Sequence, residues 1–144
     1  MTPGPVAAGD FRETHLLSWT IDYLPAEEIV RVTATGELTL DALATLIPEG
    51  LAETARRGVR RTLVDYRAVV PAMGTMDIYQ APDAALRSGL TRDHRVAFVM
   101  PADPQVRADF RFYEDRAALT GLSHRVFAEV EPALAWLVGD ALDE

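Results

Sequence analysis

Two apolar segments decide the fold of this chain: Thr62-Leu63-Val64-Asp65 and Val96-Ala97-Phe98-Val99-Met100. Almost every residue in them is apolar, whereas a strand with one face in water would alternate apolar with polar residues. Strands that are covered on both faces have such unbroken runs, and parallel strands are usually covered in this way. We therefore predict that both segments are interior strands of a sheet that is packed between helices.

The N-terminal part of the chain predicts a pair of half-buried strands. Residues His15 to Tyr23 and Ile29 to Thr35 each alternate apolar with polar side chains, and a period of two is typical of such strands. The turn between them, Leu24-Pro25-Ala26-Glu27, predicts an antiparallel hairpin. Gly36 is predicted to end the second strand.

The first helix has both of its end signals in the sequence. Thr39 is a good N-cap, and an apolar face repeats at helical spacing from Leu40 to Gly58, which is predicted to cap the C-terminus. Pro48 lies inside this pattern and is expected to kink the helix, because proline lacks an N–H and crowds the carbonyl group four residues earlier.

The remaining elements follow the two central strands. Residues 76–90 are predicted to be helical in parts and to be interrupted by Pro82. Asp103 is predicted to cap a helix that closes at Gly121. A short strand over 125–127 and a last helix opened by Pro132 complete the chain.

This order, β-β-α-β-α-β-α-β-α, predicts a single α/β domain over residues 14–144. Right-handed crossovers would give a mixed, mostly parallel five-stranded sheet with an antiparallel N-terminal hairpin and with helices packed against the sheet. Residues 1–13 are predicted to be a loose N-terminal tail.

Composition excludes several functions. The 144 residues contain no cysteine and no lysine, so thiolate metal sites and Schiff-base chemistry are excluded. A net charge of −8 argues against nucleic acid as a partner, because binding to phosphates needs a basic surface. No apolar run is long enough for a transmembrane segment, and the first nine residues do not resemble a signal peptide. We expect a cytoplasmic protein.

The order and spacing of these segments resemble the STAS superfamily, the domains similar to anti-sigma-factor antagonists, whose fold is shared with CRAL-TRIO lipid carriers. The resemblance covers roughly residues 15–138. It is carried by Thr35-Gly36-Glu37-Leu38-Thr39, Leu63-Val64-Asp65-Tyr66-Arg67, Met76-Asp77-Ile78-Tyr79, Arg95-Val96-Ala97-Phe98-Val99, Arg125-Val126-Phe127 and Ala133-Leu134-Ala135-Trp136-Leu137.

The resemblance implies a bacterial, non-catalytic binding or regulatory module that acts through a protein partner or through self-association. Residues 73–90 and the helix over 104–120 are the predicted contact surface. The likeness to CRAL-TRIO carriers implies an alternative, a small apolar or lipid-like ligand held between the central sheet and the helices after the third strand.

One departure from the resemblance concerns regulation. Classical members of the superfamily are phosphorylated on a serine shortly after the third strand, and residues 69–76 of this chain contain no serine. Thr75 is the candidate phosphoacceptor there. A helix N-cap is the commoner use of a threonine at such a place.

A polar binding patch is a further hypothesis. Ligands of α/β folds bind at the carboxyl ends of parallel strands, where Asp65 is predicted to end its strand beside Tyr66 and Arg67, with Asp103 nearby. Alternatively, Asp65 accepts hydrogen bonds from loop amides and pairs with Arg67. We favour this structural interpretation, because isolated acids near arginines usually have structural roles.

Apolar side chains that the main core does not need suggest a binding surface. Met73, Met76, Ile78 and Tyr79 cluster between the third and fourth strands, and Phe112 is turned away from the apolar stripe of its helix. Methionine and aromatic residues often line adaptable binding surfaces. We therefore predict a groove or a dimer face here.

The sequence does not predict an enzyme, a cofactor or a metal site. It has no nucleophile elbow, no glycine-rich phosphate loop and no His-Glu-x-x-His motif. His94 and His124 are predicted at the amino ends of two strands, away from the usual ligand crevice, and His15 starts the edge strand. An enzyme that uses Asp65 or Asp103 as a base is the third hypothesis, and it lacks a second catalytic group.

Overall fold

The structure, a computed structural model, describes residues 16–139, so the predicted tail over residues 1–13 and His15 lie outside the described part. The described residues form five strands and four helices. In chain order these are β1 (Ser18–Leu24), β2 (Ile29–Leu38), α1 (Leu40–Arg57), β3 (Arg61–Pro71), α2 (Thr75–Arg87), β4 (Arg95–Val99), α3 (Pro104–Leu119), β5 (Ser123–Phe127) and α4 (Val130–Val138).

The strands form one sheet in the order β1-β2-β3-β4-β5. β1 and β2 are antiparallel, and the other neighbours are parallel. From β2 to β5, each crossover leads to the next strand in the same direction along the sheet. Right-handed crossovers in one direction place their helices on the same face of the sheet. Accordingly, α1, α2 and α3 pack on one face, which we call the three-helix face, and α4 packs on the other.

The prediction of interior central strands is confirmed. Leu63 faces α4 and is 2% exposed, while its neighbour Val64 faces the other three helices and is 6% exposed. In β4, Ala97 and Val96 are buried on the same two faces. Successive side chains of a strand point to opposite faces, so unbroken apolar runs are the pattern that a sheet covered on both sides requires.

The prediction that Gly36 ends the second strand is wrong, since β2 continues to Leu38. Gly36 has φ of +101°, and a Cβ added to it would lie 2.2 Å from the carbonyl oxygen of Leu16. The strand register shifts just before it, between Thr33 and Thr35. Glycine suits this position for two reasons. It adopts a positive φ that other residues rarely adopt, and its lack of a side chain allows the backbone of Leu16 to approach closely.

The prediction that Asp65 ends its strand is also wrong. β3 continues to Pro71, because its last residues pair with β2 as far as Leu38. The pairing with β4 does stop at Asp65, opposite Val99. β3 therefore extends beyond the shorter β4, and Asp65 lies in the middle of its own strand.

The helix caps agree with the sequence at several positions. The Thr39 hydroxyl accepts the N–H of Ala42 at 3.1 Å, and Gly58 ends α1 with φ of +69°. Asp103 Oδ1 accepts the N–H groups of Gln105 at 2.8 Å and of the next residue at 3.2 Å. These contacts satisfy amides that have no partner within the first turn of a helix.

Two expectations about α2 are wrong. Pro82 does not interrupt the helix, which runs from Thr75 to Arg87 with the proline ring fully buried inside it; burial of the ring offsets the backbone hydrogen bond that proline cannot make. Thr75 is not the N-cap. Gly74 has that position, and its N–H donates to Asp77 at 3.3 Å. The prediction that Pro132 opens the last helix is also wrong, because α4 begins at Val130.

Candidate functional site

A cavity of about 120 Å³ lies between the three-helix face of the sheet and the helices. Its wall on the sheet side consists of side chains that share one face of β3, β4 and β5, namely Thr62, Val64, Tyr66, Val96, Phe98 and His124. Its wall on the helix side includes Leu43, Ile47, Ile78, Ala81, Phe110 and Tyr113. The lining is thus almost entirely apolar.

Local sequence patterns account for this space. Even-numbered residues of β3 and β4 point toward it because side chains alternate along a strand. On α2, Ile78, Ala81 and Ala85 recur at helical spacing and turn the same face toward the sheet. Ala81 and Ala85 are buried but end at a methyl group, so they fill little of the volume beneath the helix.

Aromatic rings form one side of the cavity. The Tyr66 ring lies 5.7 Å from that of Phe98 and 6.0 Å, edge to face, from that of Phe110. The Phe98 ring lies 5.5 Å, edge to face, from that of Tyr113. Such edge-to-face pairs are favoured geometries that add to the energy of burial. They hold this wall in a defined shape.

One hydrogen bond lies in the cavity wall, between α3 and β5. The Tyr113 hydroxyl is 2.6 Å from Nδ1 of His124, a side chain that is 4% exposed. Burial, with a smaller contribution from the charge of His94, lowers the pKa of His124 to about 3. The imidazole is therefore neutral at physiological pH. Its Nε2 is buried and makes no hydrogen bond with the described residues.

Tyr66 differs from Tyr113 in its hydrogen bonding. It is 4% exposed, and its hydroxyl makes no hydrogen bond to any residue in 16–139. Burial raises the pKa of both tyrosines well above the usual value, so both hydroxyls are neutral. The cavity wall consequently holds one paired tyrosine hydroxyl, that of Tyr113, and one unpaired tyrosine hydroxyl, that of Tyr66. The hydroxyl of Thr62, which also lines the cavity, likewise makes no hydrogen bond within residues 16–139.

Charged groups are scarce in the cavity wall. Asp109 is the one acidic residue that lines it, and no arginine does so among the described residues. Because His124 is neutral, the wall offers no positive charge to a ligand. The site can enclose an apolar group and contact a neutral polar one.

Asp65 and Arg67 lie on the opposite side of the sheet from the cavity. The Arg67 guanidinium donates to both carboxylate oxygens of Asp65 at 3.0 and 2.7 Å, and the backbone N–H of Arg67 donates at 3.1 Å. The side-chain bond is the main cause that lowers the pKa of Asp65, and the charge of Arg31 contributes. Asp65 therefore pairs with Arg67 and accepts a backbone hydrogen bond, as the structural interpretation predicted. The amide that donates lies in strand β3, however, and not in a loop.

The structure does not gather the predicted polar patch into one site. Tyr66 points into the cavity, on the face opposite to Asp65. Asp103 directs its carboxylate to the first amides of α3. Their proposed binding role stays a prediction.

The predicted apolar surface divides between inside and outside. Met73 and Ile78 line the cavity. Met76 and Tyr79 are 62% and 44% exposed on the outer side of α2, where the Arg116 guanidinium lies 3.9 Å from the centre of the Tyr79 ring. Thr75 is exposed at the first position of α2, and Phe112 is half-buried on α3 outside the cavity.

Sequence reasoning missed His124 and Tyr113 as residues of the site. The sequence placed His124 at the amino end of a strand, away from a ligand crevice, and the structure places it in the cavity wall. The register explains the difference, because His124 pairs with Val96 and Val96 with Thr62. All three side chains therefore point to the same face of the sheet. The register between strands cannot be inferred from the sequence of each strand alone, so the sequence did not predict this alignment.

Residues 16–139 contain neither a metal-binding cluster nor a membrane-spanning helix. No three histidine or acidic side chains in this range are grouped so that they could hold a metal ion. Within the same residues, every helix is too short or too polar to cross a membrane. The cytoplasmic location stays a prediction.

The fold and the cavity define a five-stranded α/β domain with an internal apolar site. No family model and no curated protein matches the chain. A solved structure with a similar fold is that of an uncharacterized protein of the DUF3478 family with a SpoIIAA-like fold from Shewanella loihica PV-4. It is 22% identical over 85% of this chain and 94% of that one, with a TM-score of 0.54.

A second similar structure is that of the anti-sigma factor antagonist SpoIIAA in its unphosphorylated form. It is 15% identical over 83% of this chain and 95% of that one, with a TM-score of 0.45. The chain has a SpoIIAA-like (STAS) fold, as the resemblance implied. At these identities the likeness concerns the fold alone.

Proposed function

We propose that this protein is a carrier of a small apolar molecule, which it binds in the cavity between the sheet and helices α1–α3. The observation that carries the proposal is the cavity itself, about 120 Å³ of space with an apolar wall. Protein interiors are close-packed and contain few voids larger than a water molecule. A space of this size inside a small domain is therefore an exception that a ligand would explain.

The energy of the empty space supports the proposal. Apolar side chains that line an unfilled space lose the dispersion contacts that they would make in a packed core. A ligand that fills the space restores the missing contacts. An engineered cavity of roughly 150 Å³ with a similarly apolar lining stays dry and binds benzene. The ligand class is thus molecules of about one small ring.

The packing of α1 supports access to this site. Leu43, Ile47 and Leu51 face the cavity, yet each is only half-buried. Pro48 lies between them and removes one backbone hydrogen bond of the helix. Leu46 is the one cavity-lining residue of α1 that is buried, and a helix held mainly by partly buried side chains opens at a lower free-energy cost than one with a fully buried face. We therefore place the entry route beneath α1.

Binding without chemistry is part of the proposal. The acids considered as catalytic bases are engaged elsewhere, Asp65 with Arg67 and Asp103 with the amides of α3. His124, the buried imidazole beside the cavity, has a pKa lowered to about 3, far below the range in which an effective general base operates near neutral pH.

The experiment that tests the proposal is native mass spectrometry of the purified protein, combined with organic extraction and titration with toluene followed by amide NMR. We expect toluene to shift amide signals of cavity residues such as Val64 and Ile78. The Ala81→Leu variant should lose this response because leucine occupies the space, whereas Ala84→Leu, on the same helix but outside the lining, should keep it. Absence of both a co-purified molecule and a toluene response would refute the proposal.

Association through α2 and α3 is a second candidate function, with a protein partner or a second copy of the chain as the occupant. Four large apolar side chains of these helices remain exposed, namely Met76, Tyr79, Leu86 and Leu119. Exposed apolar patches often mark interaction sites. Light scattering of the wild type and of Met76→Ser and Phe112→Ser variants tests this function. A monomer at all concentrations, with unchanged partners in pull-down experiments, would exclude it.

A further inference from the structure

We infer that the molecule held in the cavity is electrically neutral and carries one hydrogen-bonding oxygen, which pairs with the hydroxyl of Tyr66. This inference rests on the proposed function and specifies its ligand. The inference follows from three features of the cavity: an unpaired hydroxyl in its wall, a described lining without positive charge, and a limited volume.

The unpaired hydroxyl is the first feature. Tyr66 lines the cavity and is 4% exposed, and none of the residues 16–139 accepts from or donates to its hydroxyl. The Tyr66 oxygen retains accessible surface, since it is not among the fully buried polar atoms that lack a partner, and tyrosine hydroxyls inside proteins usually have a hydrogen-bond partner. A ligand oxygen in the adjoining space supplies that partner.

Tyr113 provides an internal comparison. It also lines the cavity, but its hydroxyl is already paired with His124 Nδ1 at 2.6 Å. The remaining ring nitrogen, Nε2, has almost no accessible surface, so it is closed to a ligand. Of these three polar groups, Tyr66 is the one with hydrogen-bonding capacity left for a bound molecule. The hydroxyl of Thr62 also lies in the wall without a partner in residues 16–139, and the Tyr66→Phe variant below distinguishes the two.

The charge of the wall excludes an anionic ligand. Within residues 16–139 no arginine lines the cavity, whereas Asp109 does, and His124 is neutral at physiological pH. A carboxylate buried here would have no opposite charge and would face a like charge, and burial of an unpaired ion is very costly. A free fatty acid held by its carboxylate therefore does not fit this space.

The volume limits the size of the group that the cavity can hold, although the cavity is not closed on every side. A space of about 120 Å³ is somewhat smaller than the cavity of roughly 150 Å³ that binds benzene. The expected ligands are small cyclic or short-chain alcohols, phenols and ketones. Their carbon part fills the apolar wall and their oxygen reaches Tyr66.

Toluene, phenol and benzoate form a matched probe series, because each has one benzene ring and they differ in the attached group. We would titrate each into the wild type and into Tyr66→Phe at pH 7 and follow binding by amide NMR. We expect phenol to bind the wild type and to bind Tyr66→Phe about three- to tenfold more weakly, the worth of one neutral hydrogen bond. Toluene should bind both proteins equally, and benzoate should bind neither.

Tyr113→Phe is the control, because it also deletes a cavity hydroxyl but one that is already paired. We expect no weakening of phenol binding in this variant. Equal phenol affinity in wild type and Tyr66→Phe, or benzoate binding as tight as phenol binding, would overturn the inference while toluene binding upholds the proposed function. If none of the three probes binds, the proposed function itself fails and the inference fails with it.

Discussion

The Tyr113 hydroxyl lies 2.6 Å from Nδ1 of His124, and this hydrogen bond connects α3 to β5 within the wall of the cavity. The two rings are stacked with their centroids 5.8 Å apart. His124 also packs edge to face against Phe98 on the neighbouring strand. The pair therefore links the last crossover helix to the sheet at the site where the core is least filled.

Deletion of the Tyr113 hydroxyl should destabilise the fold. The Tyr113→Phe variant leaves the buried Nδ1 of His124 without a partner, and an unsatisfied buried polar group costs about 1–3 kcal/mol. Tyr66→Phe is the matched control. It deletes a hydroxyl that has no partner within residues 16–139, so we expect little change or a gain in stability. Urea unfolding of both variants measures the difference, and equal losses would contradict the assignment of the two hydroxyls.

Stability should fall as the pH falls below the ordinary pKa of histidine. Burial lowers the pKa of His124 from 6.5 to about 3, so between these values the unfolded state binds a proton that the folded state does not. The contribution is fully present above pH 6.5 and is progressively lost toward pH 3. By pH 5.0 the loss amounts to about 2 kcal/mol.

His94 titrates in the same direction, because burial lowers its pKa as well. The comparison of wild type with His124→Asn separates the two groups, since His94 is present in both proteins. Urea unfolding at pH 7.5 and pH 5.0 should show a smaller difference between the two pH values for the variant. The same pH dependence in both proteins would show that His124 is not held neutral by burial.

Filling the cavity should stabilise the protein. Ala81→Leu adds apolar atoms to the buried space beneath α2, and each buried methylene contributes about 0.8 kcal/mol. We expect the free energy of unfolding to rise by about 1–2 kcal/mol. Ala84→Leu, which lies outside the cavity lining, should change it little. Thermal unfolding of the two variants checks this, and a large loss for Ala81→Leu would mean that the space is closed by packing.

The two glycines Gly36 and Gly50 should respond to alanine in opposite ways. At Gly36 a Cβ would lie 2.2 Å from the Leu16 carbonyl oxygen and φ is +101°, so alanine should cost about 2–4 kcal/mol. At Gly50, inside α1, no atom lies within 4 Å of an added Cβ, and alanine should stabilise the helix by about 0.5–1 kcal/mol. Urea unfolding of both variants provides the measurement, and losses of equal size would contradict the β2 geometry.

Local sequence signals predicted most of the fold because their physical causes are local. The apolar runs over 62–65 and 96–100 reflect strands covered on both faces, and Thr39 and Asp103 satisfy amides only two or three residues away. The predicted strand end at Asp65 failed for the complementary reason. β3 continues because β2 pairs with it, and partners that lie 33 residues earlier in the chain, such as Thr35 for Ala68, leave no mark on residues 66–71.

What the sequence by itself determined is the order of the elements, the helix caps and the two-sided burial of the central strands. Only the tertiary structure decided that His124, Tyr113 and Tyr66 share one wall and that Asp65 lies on the other side of the sheet. The physical reason is strand register and helix placement. A period of two assigns side chains to alternate faces, but which faces become continuous, and where the packing between them leaves space, depends on contacts between residues that are far apart in the chain.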